Sequence, residues 1–76
     1  MKELLTVIAQ GLVNDPSAVE VKETETDGQI TLNLHVAQDD MGKVIGKQGK
    51  IAKAIRTVMH SACADTGKSV NVEIDE

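Results

Sequence analysis

Ile30, Leu32, Leu34 and Val36 alternate without a break with Thr31, Asn33 and His35. A period of two puts the four aliphatic side chains on one face of a strand and the polar ones on the other. The polar face has to meet water, so anything that covers this strand can lie on one side only. Two more segments carry the same pattern. Val19 and Val21 alternate with Glu20 and Lys22, and Val70, Val72 and Ile74 alternate with Asn71 and Glu73. Three half-buried strands therefore need a single apolar layer of helices. The remaining apolar residues supply it. Leu4, Leu5, Ile8 and Leu12 recur at helical spacing, with Val7 on the same side, and predict a helix from about residue 2 to 14. Asn14-Asp15-Pro16-Ser17 stops it, because the residue before proline disfavours helix. Ile51, Ala54, Ile55, Val58, Met59 and Ala62 predict a longer helix to about Asp65, with Gly67 as its stop. Asp39 and Asp40 read as an N-cap and first-turn acids for a short helical turn through Ile45. Asp27-Gly28 reads as a tight turn, although the polar run from Glu23 to Gln29 could hold a longer loop. The element order is α-β-β-α-α-β. The fold class is α+β, a two-layer sandwich with a three-stranded sheet covered by helices on one face.

Chain length agrees with one domain over residues 1–76, too small for two cores or for a cofactor cleft between lobes. No Phe, Tyr or Trp is present, which excludes recognition built on aromatic stacking platforms. A lone cysteine, Cys63, cannot close an internal disulfide. No apolar run approaches a membrane span, and the N-terminus shows no basic region followed by a long apolar stretch. The expected setting is cytoplasmic, without membrane attachment.

The net charge of −4 conceals an asymmetry. Residues 41–64 contain Lys43, Lys47, Lys50, Lys53 and Arg56 and no acid, whereas all 12 acids lie elsewhere with three lysines. Such a distribution either points to an anionic partner or is the solvated face of a helix.

Enzyme chemistry finds little support. Cys63 borders an apolar stripe, His35 falls on the polar face of a strand and His60 on the polar side of a helix. Two histidines without a clustered third ligand do not make a metal centre, and no nucleophile stands with a base. Nucleotide-binding loops fail on spacing. Gly42 to Gly46 is one residue short of a Walker loop, and Lys47 is followed by Gln48. Neither a cofactor nor a small-molecule substrate is expected.

What remains is Val44-Ile45-Gly46-Lys47-Gln48-Gly49-Lys50-Ile51. Two glycines three apart, between helical segments, permit a sharp turn and the close approach of another backbone. Gly49 opens the long helix, whose positive end favours an anion. Lys47 lies in the turn, and Lys50 and Lys53 follow on the helix. A phosphodiester chain would meet bared amides, a helix N-terminus and a line of cations together. A helical corner with glycines for the bend alone would share the spacing without the lysines.

This motif, followed by an amphipathic helix, resembles the G-x-x-G signature of KH domains, and α-β-β-α-α-β resembles the type II version of that fold. More closely, the run from Gly42 through Arg56, the short length and the acidic tail resemble the KhpA (YlqC) family of small bacterial RNA-binding proteins. The likeness covers nearly the whole chain. It implies a single KH domain that binds single-stranded RNA and acts as an RNA chaperone or post-transcriptional regulator, in a family linked to cell shape. It implies a homodimer, or a heterodimer with a second KH protein (KhpB, also called Jag or EloR). By position, Gly46, Lys47, Gln48 and Gly49 would clamp the sugar-phosphate backbone. Lys43, Lys50 and Lys53 would add cations, and Met41, Val44, Ile45 and either Ile51 or Ala52 the apolar floor. Asp65-Thr66-Gly67-Lys68 would take the place of the variable loop beside the groove. Val13 and Met41 are candidates for a dimer seam or for core packing. The alternative function is a protein-interaction adaptor whose KH fold serves to dimerise.

Overall fold

The computed structural model describes residues Met1–Asp75. The elements run α1 (Lys2–Leu12), β1 (Glu20–Thr26), β2 (Gln29–His35), α2 (Met41–Ile45), α3 (Lys50–Cys63) and β3 (Ser69–Asp75). Single 3₁₀ turns at Pro16–Ala18, Gln38–Asp40 and Lys47–Gly49 link them. The expected order and the two layers are found. β2 is central, antiparallel to β1 and parallel to β3. Ile30, Leu32, Leu34 and Val36 are all buried beneath the helices, as their alternation requires.

β1 and β2 meet through a two-residue turn, with Thr26 opposite Gln29. Asp27 (φ 53°) and Gly28 (φ 79°) both adopt left-handed backbone, the geometry that matches strand twist in a tight hairpin. No longer loop forms, and the polar run from Glu23 is strand. β1 differs from the expected half-buried strand, since only Val19, just before it, and Val21 reach the core. Its remaining residues are exposed, and its cross-strand pairing with β2 holds them extended.

α1 ends at Leu12, two residues early, because Val13 is already extended (φ −95°, ψ 161°). α3 ends at Cys63 rather than Asp65. There Thr66 turns back on the helix, and its hydroxyl and its amide both donate to the Cys63 carbonyl, at 2.7 and 3.1 Å.

The expected apolar stripes divide on folding. Leu5 and Ala9 of α1, and Ala52, Ile55, Met59 and Cys63 of α3, face the sheet. Leu4 (39% exposed), Val7 (67%), Leu12 (37%) and Val58 (46%) do not. Leu4, Ile8 and Leu12 instead line an apolar groove of about 570 Å³ with Ile51, Ala54 and Val58 of α3. Val13 and Met41 are half-buried and pack against the core.

Candidate nucleic-acid interface

The turn between α2 and α3 is built on glycine. Gly46 adopts φ 74° and ψ 174°, a region that essentially only glycine occupies. A Cβ there would lie 2.6 Å from Cγ1 of Ile51, so the missing side chain also makes room for α3. Gly49 is left-handed (φ 75°, ψ 15°), with open space where its Cβ would stand. Gln48 between them is left-handed as well (φ 58°, ψ 25°), unusual for a residue with a side chain. Local strain in a loop of this kind suggests a function for the shape itself. The turn is closed by Gly46 N–H to the Gly42 carbonyl at 2.9 Å and Gly49 N–H to the Gly46 carbonyl at 3.2 Å.

Lys47 and Gln48 are exposed at the tip, and Lys43, Lys50 and Lys53 are exposed on the flanking helices. The positive end of the 14-residue α3 points at the turn. Among the described residues, ion pairs join Met1 to Glu3 and Glu23, His35 to Asp75, and Lys68 to Glu25, so none uses these four lysines. Lys68 differs. A hydrogen bond from its ammonium to Glu25, 2.8 Å long, and the charge of that carboxylate raise its pKa and hold it charged in an ion pair. The result is a concave turn with donors and cations and no acid within residues 41–64.

Several positions differ from their expected places. Val44 is fully buried, so it seats α2 on the core and offers nothing to a ligand. Ile45 is half-buried. Ala52 faces the core, and Ile51 packs against Gly46 and lines the apolar groove. The Asp65–Lys68 loop lies at the far end of α3, about 21 Å along a 14-residue helix. Ser69, just after it, donates its N–H to the Gly28 carbonyl at 3.0 Å and so ties it to the β1–β2 hairpin. Asp40 begins α2 without capping it. Its carboxylate turns inward, 2% exposed, and accepts the amides of Asn14 (3.2 Å) and Asp15 (3.1 Å). No periodicity signals that role, because its partners lie 25 and 26 residues away.

Cys63 is buried, its sulfur near the Thr66 hydroxyl (3.3 Å) and the Lys68 carbonyl (3.4 Å). His35 stands on the outer sheet face in a polar row with Glu20 and Asp75. Among the described residues no group of three or more His, Cys, Asp or Glu side chains could hold a metal ion. None of the described helices is long and apolar enough to cross a membrane.

Residues 2–74 match the sequence pattern of the KhpA/KhpB KH domain. The chain is 55% identical to RNA-binding protein KhpA of Clostridium acetobutylicum, over 97% of this chain and 99% of that one. It is 45% identical to RNA-binding protein KhpA of Listeria monocytogenes over the full length of both. The same identity holds with RNA-binding protein KhpA of Bacillus subtilis, over 97% of this chain and 91% of that one. No solved structure matches the chain. With its glycine turn between two helices, its mixed sheet and these relatives, the chain belongs to the KhpA family of KH-domain proteins.

Proposed function

We propose that this chain is a cytoplasmic RNA-binding protein whose residues 1–76 act as one KH domain and clamp single-stranded RNA at the Gly46-Lys47-Gln48-Gly49 turn. Gly49, with open space where its Cβ would stand, bares the backbone for a phosphate, Gly46 seats the turn against Ile51, Lys47 and Gln48 sit beside it, and Lys43, Lys50 and Lys53 supply the surrounding field. Ile45 offers the partly exposed apolar surface next to the turn. The observation that carries this reading is the acid-free, glycine-shaped turn at the positive end of α3. The name shared by the relatives supports RNA as the anion.

With no aromatic residue to stack on, affinity has to come from phosphate contacts, aliphatic packing and hydrogen bonds. Binding is then weak for one domain and modest in sequence preference, which suits an RNA chaperone or post-transcriptional regulator. Replacing Lys47 and Gln48 together by aspartate is expected to abolish binding of a fluorescent single-stranded RNA in an anisotropy assay. Circular dichroism should stay unchanged, since both side chains are exposed and aspartate tolerates left-handed backbone. In wild type, log affinity should fall with log salt by about 0.7 per phosphate neutralised. Equal binding by both proteins would sink the clamp.

Useful affinity at cellular salt requires a second domain. The apolar groove between α1 and α3, with Val58 exposed on its rim, supports a second KH copy as partner, either this chain again or a KhpB-like protein. This observation also sustains the adaptor reading, in which dimerisation is the main task. Val58→Asp is expected to shift the chain to monomer in light scattering. It should also weaken binding of a long RNA by tenfold or more through lost avidity, with short-RNA binding intact. A variant that stays dimeric would move the seam elsewhere.

A further inference from the structure

The sheet ends in two edges, β1 and β3, and the chain treats them differently. Side chains of α3 reach onto β3, where His60 Nε2 lies 3.0 Å from the Val70 carbonyl and Arg56 Nε 3.4 Å from the Val72 carbonyl. β1 has no such cover. Its two-residue hairpin makes Thr26 and Gln29 a hydrogen-bonded pair, and alternation repeats the pairing at Thr24 with Thr31, Lys22 with Asn33 and Glu20 with His35. The N–H and C=O groups of Val21, Glu23 and Glu25 therefore point away from the sheet, and no hydrogen bond among the described residues uses them. Natural edges are commonly blunted by proline, a bulge or a short strand. β1 runs seven residues without proline and pairs one to one with β2 throughout. Its guard is charge. Glu23 and Glu25 stand opposite Leu32 and Ile30, so their exposed side chains lie on the helix side of the sheet, while Glu20 and Lys22 lie on the outer side. Glu23 Oε1 accepts the Lys2 amide at 3.1 Å and lies 3.9 Å from the Met1 amine, and Glu25 Oε2 meets Lys68 Nζ at 2.8 Å. The second oxygen of each carboxylate takes part in none of these contacts.

We infer that the open edge of β1 docks an extended, lysine-rich segment of another protein, which adds to the sheet as a fourth strand. Strand addition draws its affinity from main-chain hydrogen bonds and leaves alternate side chains to select the segment. An incoming antiparallel strand exchanges both main-chain bonds with Val21, Glu23 and Glu25. Its residues opposite Glu25 and Glu23 are then basic, the one opposite Val21 aliphatic, and the one opposite Lys22 acidic or neutral. Read along the incoming chain, the complement is Lys-Thr-Lys-Glu-Val-Lys, whose last residue faces Glu20. A second copy of β1 centred on this edge sets Glu23 against Glu23, a like-charge pair that opposes self-association. Phosphates approaching here would meet Glu20, Glu23, Glu25 and Asp27, so the occupant is a polypeptide and not RNA. Lys68 and the Met1 amine offset part of the edge charge, so the main chain carries the affinity and the lysines the choice.

The test titrates the isotope-labelled full chain with the peptide acetyl-Lys-Thr-Lys-Glu-Val-Lys-amide. The Val21, Glu23 and Glu25 amide resonances should shift and their hydrogen exchange should slow. The Lys22 and Thr24 amides, already bonded to β2, should change less. The charge-reversed peptide acetyl-Glu-Thr-Glu-Lys-Val-Glu-amide should bind about tenfold more weakly. Methylating the amide nitrogen of the second lysine, which faces Glu23, removes a main-chain donor at unchanged charge and should abolish binding. Glu23→Gln with Glu25→Gln should cut the difference between the two peptides to about threefold or less. Both positions are exposed, and circular dichroism checks that the variant folds. Unmoved Val21, Glu23 and Glu25 amides at millimolar peptide overturn the inference. So do equal affinity of wild type for both peptides and undiminished binding of the methylated peptide, which would leave only charge attraction. Slowed exchange at these amides on raising protein concentration alone would give the edge to a second copy, and overturns it as well.

Discussion

Gly46→Ala is expected to lower stability by about 2–6 kcal/mol, adding a backbone cost of about 1–3 to an overpacking cost of about 1–3. The backbone cost arises because φ 74° with ψ 174° is closed to a residue with a side chain. Overpacking arises because the new methyl would sit 2.6 Å from Ile51 Cγ1 and 2.9 Å from its Cβ, next to the backbone where the side chain cannot swing away. A domain of 76 residues holds only about 4–11 kcal/mol in all. The melting temperature should therefore fall by roughly 10 °C or more. Gly49→Ala makes the contrast, since it meets open space and carries only the left-handed penalty of about 1–2 kcal/mol. Adding Ile51→Ala to Gly46→Ala should return the part of the clash made by Cγ1 and Cδ1 but neither the 2.9 Å contact with Cβ nor the backbone part, a coupling that a double-mutant cycle reads directly. Thermal melts in which Gly46→Ala and Gly49→Ala lose equal stability would show that the turn is not packed against α3 as described.

The glycine turn illustrates how far the sequence reaches. Two glycines three apart announce a bend, and the lysines around them announce an anion, because both signals are local. What the spacing does not reveal is that the two glycines have different tasks, one yielding space to Ile51 and the other bending the chain with open space where its Cβ would stand. The same divide runs through the fold. β2 was legible to the residue, since each of its side chains alternates between core and water. The helices were legible as helices, but their apolar faces are wider than the sheet they cover. Periodicity cannot tell Leu5 from Leu4, or Ile55 from Val58, when all four belong to one broad stripe. Their fates are set by the angle at which α1 and α3 meet, a tertiary property. Val44 shows the reverse error. Adjacent to the turn and apolar, it reads as a ligand floor, yet α2 is only five residues long and needs that side chain to hold it on the core. Arg56 was visible as a charge, and only the register of β3 shows that its guanidinium reaches the Val72 carbonyl.

Asp40→Ala is expected to cost about 2–4 kcal/mol through its lost hydrogen bonds. The carboxylate is 2% exposed and forms no ion pair among the described residues, a placement that is costly unless the charge is hydrogen-bonded. Both oxygens accept backbone amides, Oδ1 from Asn14 and Oδ2 from Asp15. Hydrogen bonds to an ionised group contribute about 1.5–3 kcal/mol each, and part of that returns when water reaches the freed amides. Those amides follow the Val13 cap of α1, where the chain leaves the helix for the Pro16–Ala18 turn. Asp40 itself stands where the chain enters α2, so one side chain fastens the exit of the first helix to the entrance of the helix that carries the glycine turn. Asp40→Asn keeps the shape but turns an NH₂ group toward one of the two donors, and should lose about half as much. Asp39→Ala, next door and exposed, should change stability by less than about 0.5 kcal/mol. Urea melts of the three variants rank these costs. Hydrogen exchange should show the Asn14 and Asp15 amides losing protection in Asp40→Ala well before the amides of β2 do. If Asp39→Ala and Asp40→Ala proved equally mild, the join between α1 and α2 would have to be held by packing alone.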